Sequence, residues 1–131
     1  MLFRSQHFLS PGYPATEEVL RAKVERAFDR GYFPRGVARQ TVAILASGSR
    51  VPLLKHIDTQ TLIIHGQHDA LVPVAAAKDL KRRIPHAKLE IIPGMGHDFP
   101  LELMPRIAGL IVKHVRGSEK AAKPQKKAIS A

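Results

Sequence analysis

Two glycine-led tetrapeptides hold the side chains best suited to chemistry, Gly66-Gln67-His68-Asp69 and Gly94-Met95-Gly96-His97. A carboxylate that accepts a hydrogen bond from Nδ1–H of an imidazole fixes the tautomer and steadies the imidazolium. It thereby frees Nε2 to take and return a proton. Asp69 and His97 are therefore the candidate catalytic pair, with glycines beside the histidine allowing a tight turn and space near the ring. Asp98 follows His97 directly, but adjacent side chains diverge, so it reads as a cap for the last helix. His65-x-x-His68-Asp69 has the look of a metal cluster. Residues three apart on a strand end do not share a face and a third ligand is not evident, so no metal is expected. Ser47-Gly48-Ser49 closes a helical pattern and reads as a helix terminus. Met95 and Phe99 could line an acyl pocket or plug the loop against a sheet edge, and both readings stay open.

Elements must bring such loops together. Thr61–His65 is a short, apolar, β-branched run without alternation, and Leu89–Ile92 reads as a second short apolar strand. Runs of this kind suit parallel strands buried on both faces. Between them Pro73 opens a helical pattern through Val74, Ala77, Leu80 and Ile84, and Pro85 stops it. Strand, helix, strand, helix implies a right-handed parallel crossover, with both loops leaving the carboxyl ends of the strands, where open sheets gather their ligands. The last helix places Leu103, Ile107, Leu110, Ile111 and His114 on one stripe. Upstream, Thr16 is a plausible N-cap with Glu17 and Glu18 in the first turn. Leu20, Val24, Ala27 and Phe28 follow at helical spacing as far as Gly31. A second helical pattern after Pro34 runs through Val37, Thr41, Ile44 and Leu45. Residues 1–15, with Pro11, Gly12 and Pro14, read as an extended lead-in.

With these motifs in view, the chain resembles the α/β-hydrolase family. Thr-Leu-Ile-Ile-His-Gly-Gln-His-Asp-Ala-Leu-Val-Pro (61–73) looks like that family's penultimate core strand with its catalytic acid. Leu-Glu-Ile-Ile-Pro-Gly-Met-Gly-His-Asp (89–98) looks like the final strand with its catalytic histidine. Residues 16–48 look like the end of the helical cap that esterase-like members carry before these strands. The resemblance implies a partial α/β fold: two short parallel strands with a crossover helix, plus cap-like helices at the N-terminal side. It also implies Ser-His-Asp chemistry on carboxylic esters, with no cofactor, Asp69 as the acid and His97 as the base. The family's nucleophile sits in a Gly-x-Ser-x-Gly elbow, and that pattern does not occur in these 131 residues. A truncated hydrolase that holds two triad members of three, inactive as this chain alone, is the expectation. An ester substrate would enter only on complementation by a second polypeptide.

The organisation expected is a helical, cap-like segment over 1–55, the carboxyl-terminal part of a hydrolase core over 56–116, and a basic, disordered tail over 117–131. Net charge is +10, yet the excess lies in the flanks: nine Lys/Arg against four acids over 1–55, six of each over 56–112, and six against one over 113–131. That distribution, without aromatic residues interleaved among the tail lysines, argues against a nucleic-acid face. No cysteine is present, which excludes disulfides, thiolate metal sites and a cysteine nucleophile. The apolar runs are far shorter than a membrane span, and Arg4, Gln6 and His7 interrupt any secretory pattern, so a cytoplasmic protein is expected. Two strands cannot cover four helices. Apolar sheet edges should therefore stay exposed and favour self-association or a partner chain, and the competing reading is a non-catalytic interaction module built on the same scaffold.

Overall fold

The computed structural model describes residues 9–122. Two helices come first, α1 (Glu17–Gly31) and α2 (Pro34–Ala46), followed by a short 3₁₀ segment, Val51–His56. Then come β1 (Leu62–Gly66), α3 (Val74–Arg83), β2 (Lys88–Ile92), a 3₁₀ turn Leu101–Leu103, and α4 (Met104–Ala122). Among the described residues the strands form one two-stranded parallel sheet, registered Leu62 to Lys88 through Gly66 to Ile92. The partial α/β architecture expected from the sequence is what the chain adopts.

Local chemistry explains the boundaries. The Thr16 side chain accepts from Val19 N and Glu17 and Glu18 occupy the first turn of α1, so its N-terminus is capped and charge-matched. Pro34 sits at the start of α2, where its missing N–H costs nothing. Pro73 lies one position before α3 rather than within it, with an extended ψ of 144°. At the other end Ile84 closes α3 just ahead of Pro85, as the restriction on the residue before proline requires.

The core is small and sits under the carboxyl end of the sheet. Ile92, Met95, Leu103 and Ile107 form a buried cluster, with Tyr13, Ile64 and Met104 packed against it. Register puts Leu62, Ile64 and Gly66 on one sheet face with Lys88, Glu90 and Ile92, while Ile63, His65, Leu89 and Ile91 share the other. Burial on both faces is only partial: the first four residues of β1 are half-buried, because the outer edge of each strand has no neighbour among the described residues.

Two expectations need correction. The segment from 117 was expected to be a disordered tail, but α4 continues through Gly117 and Ser118 to Ala122. Ser118 Oγ donates to the His114 carbonyl, and Glu119 and Lys120 are good helix formers that extend the existing hydrogen-bond ladder at little cost. The remainder of that segment, 123–131, lies outside the described residues. The lead-in over 1–15 is no featureless extension where it is described. Tyr13 N donates to the Ser10 carbonyl at 3.0 Å, closing a turn, and Gly12 N donates to the Gly94 carbonyl at 2.9 Å.

Candidate active site

The two glycine-led loops are continuations of the sheet. Past the last paired residues, Gln67 N donates to the Ile92 carbonyl at 3.0 Å and His68 N to the Met95 carbonyl at 2.8 Å. These bonds lock the loops together beyond the strand tips. They require Gly66, because a Cβ there would collide with the Gly96 carbonyl oxygen and with the Met95 carbonyl, both of them backbone. Gly94 turns the second loop with φ +71°, a conformation few other residues adopt without strain.

On that frame Asp69 and His97 meet. His97 Nδ1–H donates to Asp69 Oδ2 at 2.9 Å. The other carboxylate oxygen, Oδ1, accepts from Leu71 N at 2.9 Å and Val72 N at 2.8 Å, so the carboxylate is held on three sides. Its side chain is 5% exposed, whereas that of His97 is 44% exposed. Burial alone would raise the Asp69 pKa. The hydrogen bonds from Val72 N, His97 and Leu71 N, with the nearby imidazole, outweigh it, and the carboxyl is held below its usual 3.8. An ionised acid bonded to Nδ1–H leaves Nε2 of a neutral His97 as a free acceptor. The pair can thus abstract and return a proton at a site open to solvent.

The neighbouring residues sort differently from the sequence-based expectations. Asp98 does not cap the last helix: the turn after it begins at Pro100, and Asp98 Oδ1 instead accepts from Ser10 Oγ at 2.6 Å. Ser10 itself, 1% exposed, also accepts from Gly96 N at 2.8 Å. Sequence reasoning missed Ser10. Its only signal was the punctuated run Ser10-Pro11-Gly12, where a turn was on offer. His65, which the sequence offers only as part of a metal-like cluster, packs at the end of β1 instead: its Nε2–H donates to the Val72 carbonyl at 2.9 Å, and the same nitrogen lies 3.8 Å from Asp69 Oδ2, too far for a second hydrogen bond to the acid. It ties the far end of the acid loop back to β1.

Met95, for which the sequence allows pocket or plug, is 4% exposed and belongs to the core, while Phe99 is 58% exposed. Ser47 terminates α2, its hydroxyl on the Ile44 carbonyl at 2.9 Å, and Ser49 accepts from Val51 N at 3.3 Å. Neither reaches His97. His68 is exposed, and among the described residues no group of three His, Cys, Asp or Glu could hold a metal ion. No described helix is long and apolar enough to cross a membrane.

Comparison with known proteins agrees with the geometry in kind. A family model described as the alpha/beta hydrolase fold matches residues 7–102, most of the chain. A protein named "Probable lysophospholipase BODYGUARD 1" from Arabidopsis thaliana is 34% identical over 59 residues, covering 41% of this chain and 13% of that protein. The 2-hydroxymuconate semialdehyde hydrolase of Pseudomonas putida is 33% identical over 58 residues, covering 44% of this chain and 21% of that protein. The match thus spans about a fifth or less of the length of either relative.

Proposed function

The chain belongs to the α/β-hydrolase fold family, and from that premise we propose that Asp69 and His97 are the acid and the base of a serine-hydrolase constellation acting on carboxylic esters. His97 Nε2 would take the proton from an attacking serine hydroxyl and deliver it to the departing alkoxide. A second cycle, with water in place of the serine, would release the acid. Asp69 keeps the ring in the tautomer that makes this possible and stabilises the imidazolium formed in each half-reaction. The carrying observation is the 2.9 Å bond from Nδ1 of a partly exposed imidazole to a buried carboxylate.

The nucleophile and the oxyanion donors are supplied by polypeptide other than these 131 residues, which contain no Gly-x-Ser-x-Gly. Electrostatic stabilisation of the oxyanion is the largest single contribution to such reactions, so the chain by itself is inactive. The test is hydrolysis of a short-chain aryl ester by the purified chain, alone and mixed with the nucleophile-bearing portion of a related hydrolase. His97→Ala serves as control in both arms, because exposed histidines hydrolyse activated esters slowly by themselves. Turnover that appears only in the mixture and disappears with His97→Ala is the expected result. Robust turnover by the chain alone, abolished by that substitution, would contradict its inactivity. Turnover in the mixture that is indifferent to His97 would contradict the assignment of the base.

A second reading has its own observation. Neither α1 nor α2 buries a single residue, and Phe28, Tyr32, Phe33 and Leu45 are each more than half exposed. Apolar faces of this kind fit an interaction module that associates with itself or with another chain. Light scattering across a concentration series distinguishes the readings: a compact monomer at all concentrations counts against the interaction module.

A further inference from the structure

A solvent-exposed imidazole needs something other than packing to keep it pointed at its carboxylate. The loop that carries His97 is poor in internal restraint, since two of the three residues before it, Gly94 and Gly96, have no side chain. Its anchors on the inner side are the buried Met95 side chain and the bond from His68 N to the Met95 carbonyl. Neither fixes the two residues that immediately flank the histidine.

One hydroxyl does. Ser10 Oγ accepts from Gly96 N at 2.8 Å and donates to Asp98 Oδ1 at 2.6 Å, bonding the residue before His97 and the residue after it at the same time. The serine is 1% exposed and Gly96 is buried, so water cannot replace the bond to Gly96 N, whereas the bond to Asp98 is part-buried. Because the hydroxyl proton goes to a carboxylate, the bond is charge-assisted and polarises the oxygen that receives the Gly96 N–H. The surrounding chain holds Ser10 in place. Gly12 N bonds the Gly94 carbonyl, a Cβ on Gly12 would lie 2.7 Å from the Gly94 Cα, and the Tyr13 side chain packs on the core cluster.

From this geometry we infer that Ser10 is a positioning residue for His97: its hydroxyl clamps both flanks of the histidine and so sets the ring on Asp69. Ser10 is not a nucleophile, because its hydroxyl is buried, its proton is committed to Asp98 and it makes no bond to His97. The role rests on the proposal that Asp69 and His97 form the acid–base pair. It makes the segment 10–13 part of the site although the two residues that Ser10 clamps lie 86 and 88 positions further along the chain. Movement of that segment would unseat the base without touching it.

Nitrogen-15 NMR of the full chain tests this, with Ser10→Ala, Asp98→Ala and Asp69→Asn variants. The readouts are the tautomer of the His97 ring at a pH where it is neutral and the exchange rate of the Gly96 amide. The Ile92 amide monitors the intact core. In the wild type the ring should carry its proton on Nδ1. In folded Ser10→Ala that preference should be lost, and Gly96 exchange should accelerate about tenfold or more while Ile92 stays protected. Retention of the Nδ1–H tautomer in Ser10→Ala overturns the positioning role. If Ser10→Ala does not fold, Asp98→Ala decides the matter in the same way, since it removes one side of the clamp at a partly exposed site. Asp69→Asn separates the two ideas. A tautomer lost in Asp69→Asn but kept in the clamp variants refutes the role of Ser10 alone. A ring with no preference even in the wild type refutes the acid–base pair and the clamp with it.

Discussion

Replacing Asp69 with Asn removes one charge and almost no volume, and the structure says what that costs. Oδ1 can go on accepting from Leu71 N and Val72 N, now as a neutral acceptor. The position of Oδ2 becomes an amide nitrogen, which cannot accept from His97 Nδ1–H. Either the bond breaks or the ring moves its proton to Nε2 and accepts through Nδ1, which disables it as a base. A hydrogen bond to a charged group contributes about 1.5–3 kcal/mol, and the 44% exposure of His97 places this one near the lower end. With weaker bonds to the two amides added, Asp69→Asn should lose about 2 kcal/mol at neutral pH, or a urea midpoint lower by about 1 M. The pH dependence has a definite sign. The folded carboxyl titrates below 3.8 and the unfolded one near it, so as pH falls the unfolded chain binds the proton first. The Asp69 contribution is therefore complete above the unfolded value and is lost as pH drops through the folded one. Urea titrations by circular dichroism at pH 7, 5 and 2.5 should show the wild-type advantage intact at the first two and much reduced at the third. Equal midpoints at pH 7, or an advantage that persists undiminished at pH 2.5, would refute the idea that hydrogen bonds to the ionised carboxylate stabilise the fold.

Gly66→Ala places a methyl against the Gly96 and Met95 carbonyls, backbone atoms with no rotamer to escape into; the expected loss is about 2 kcal/mol, read as a melting midpoint lower by about 10 °C, with the Asp69–His97 contact opened. His86 sits exposed at φ +60°, a left-handed conformation that disfavours a side chain. His86→Gly should stabilise the chain by about 0.5 kcal/mol, because relief of that strain exceeds the added freedom of the unfolded backbone, and chemical denaturation at neutral pH measures it.

The parts of this molecule governed by short-range rules were legible in its sequence. Thr16 with Glu17 and Glu18, Pro34, and the two β-branched runs each state a local preference that no later contact overrides, and the elements form within a residue or two of where those preferences place them. Asp69 and His97 were visible because both sit directly beyond a strand tip, where sequence register nearly determines space. Ser10 was not, because its partners lie 86 and 88 positions away and nothing local distinguishes a buried clamp from a serine in a lead-in. Asp98 was misplaced for the same reason: a helix cap was its best local option, and a long-range hydroxyl competed successfully for it. The end of α4 failed in the opposite sense. A glycine at 117 costs about 1 kcal/mol in a helix, too little to stop a helix already propagating from a packed turn at Ile107.

The pattern of restraint around the pair follows from an asymmetry between its members. The acid is fixed by its own loop, through backbone amides two and three residues ahead, and would stay in place with its partner gone. The histidine is fixed by others, through Gly96 and Asp98 on a distant serine and through Asp69 itself. A base must turn slightly between accepting a proton from one oxygen and returning it to another, so a restraint on its neighbours serves better than one on the ring. An acid that only orients and stabilises gains from immobility. Substitutions in the acid loop other than at Asp69 should therefore act mainly on stability, and those in the segment 10–13 mainly on the ring of His97.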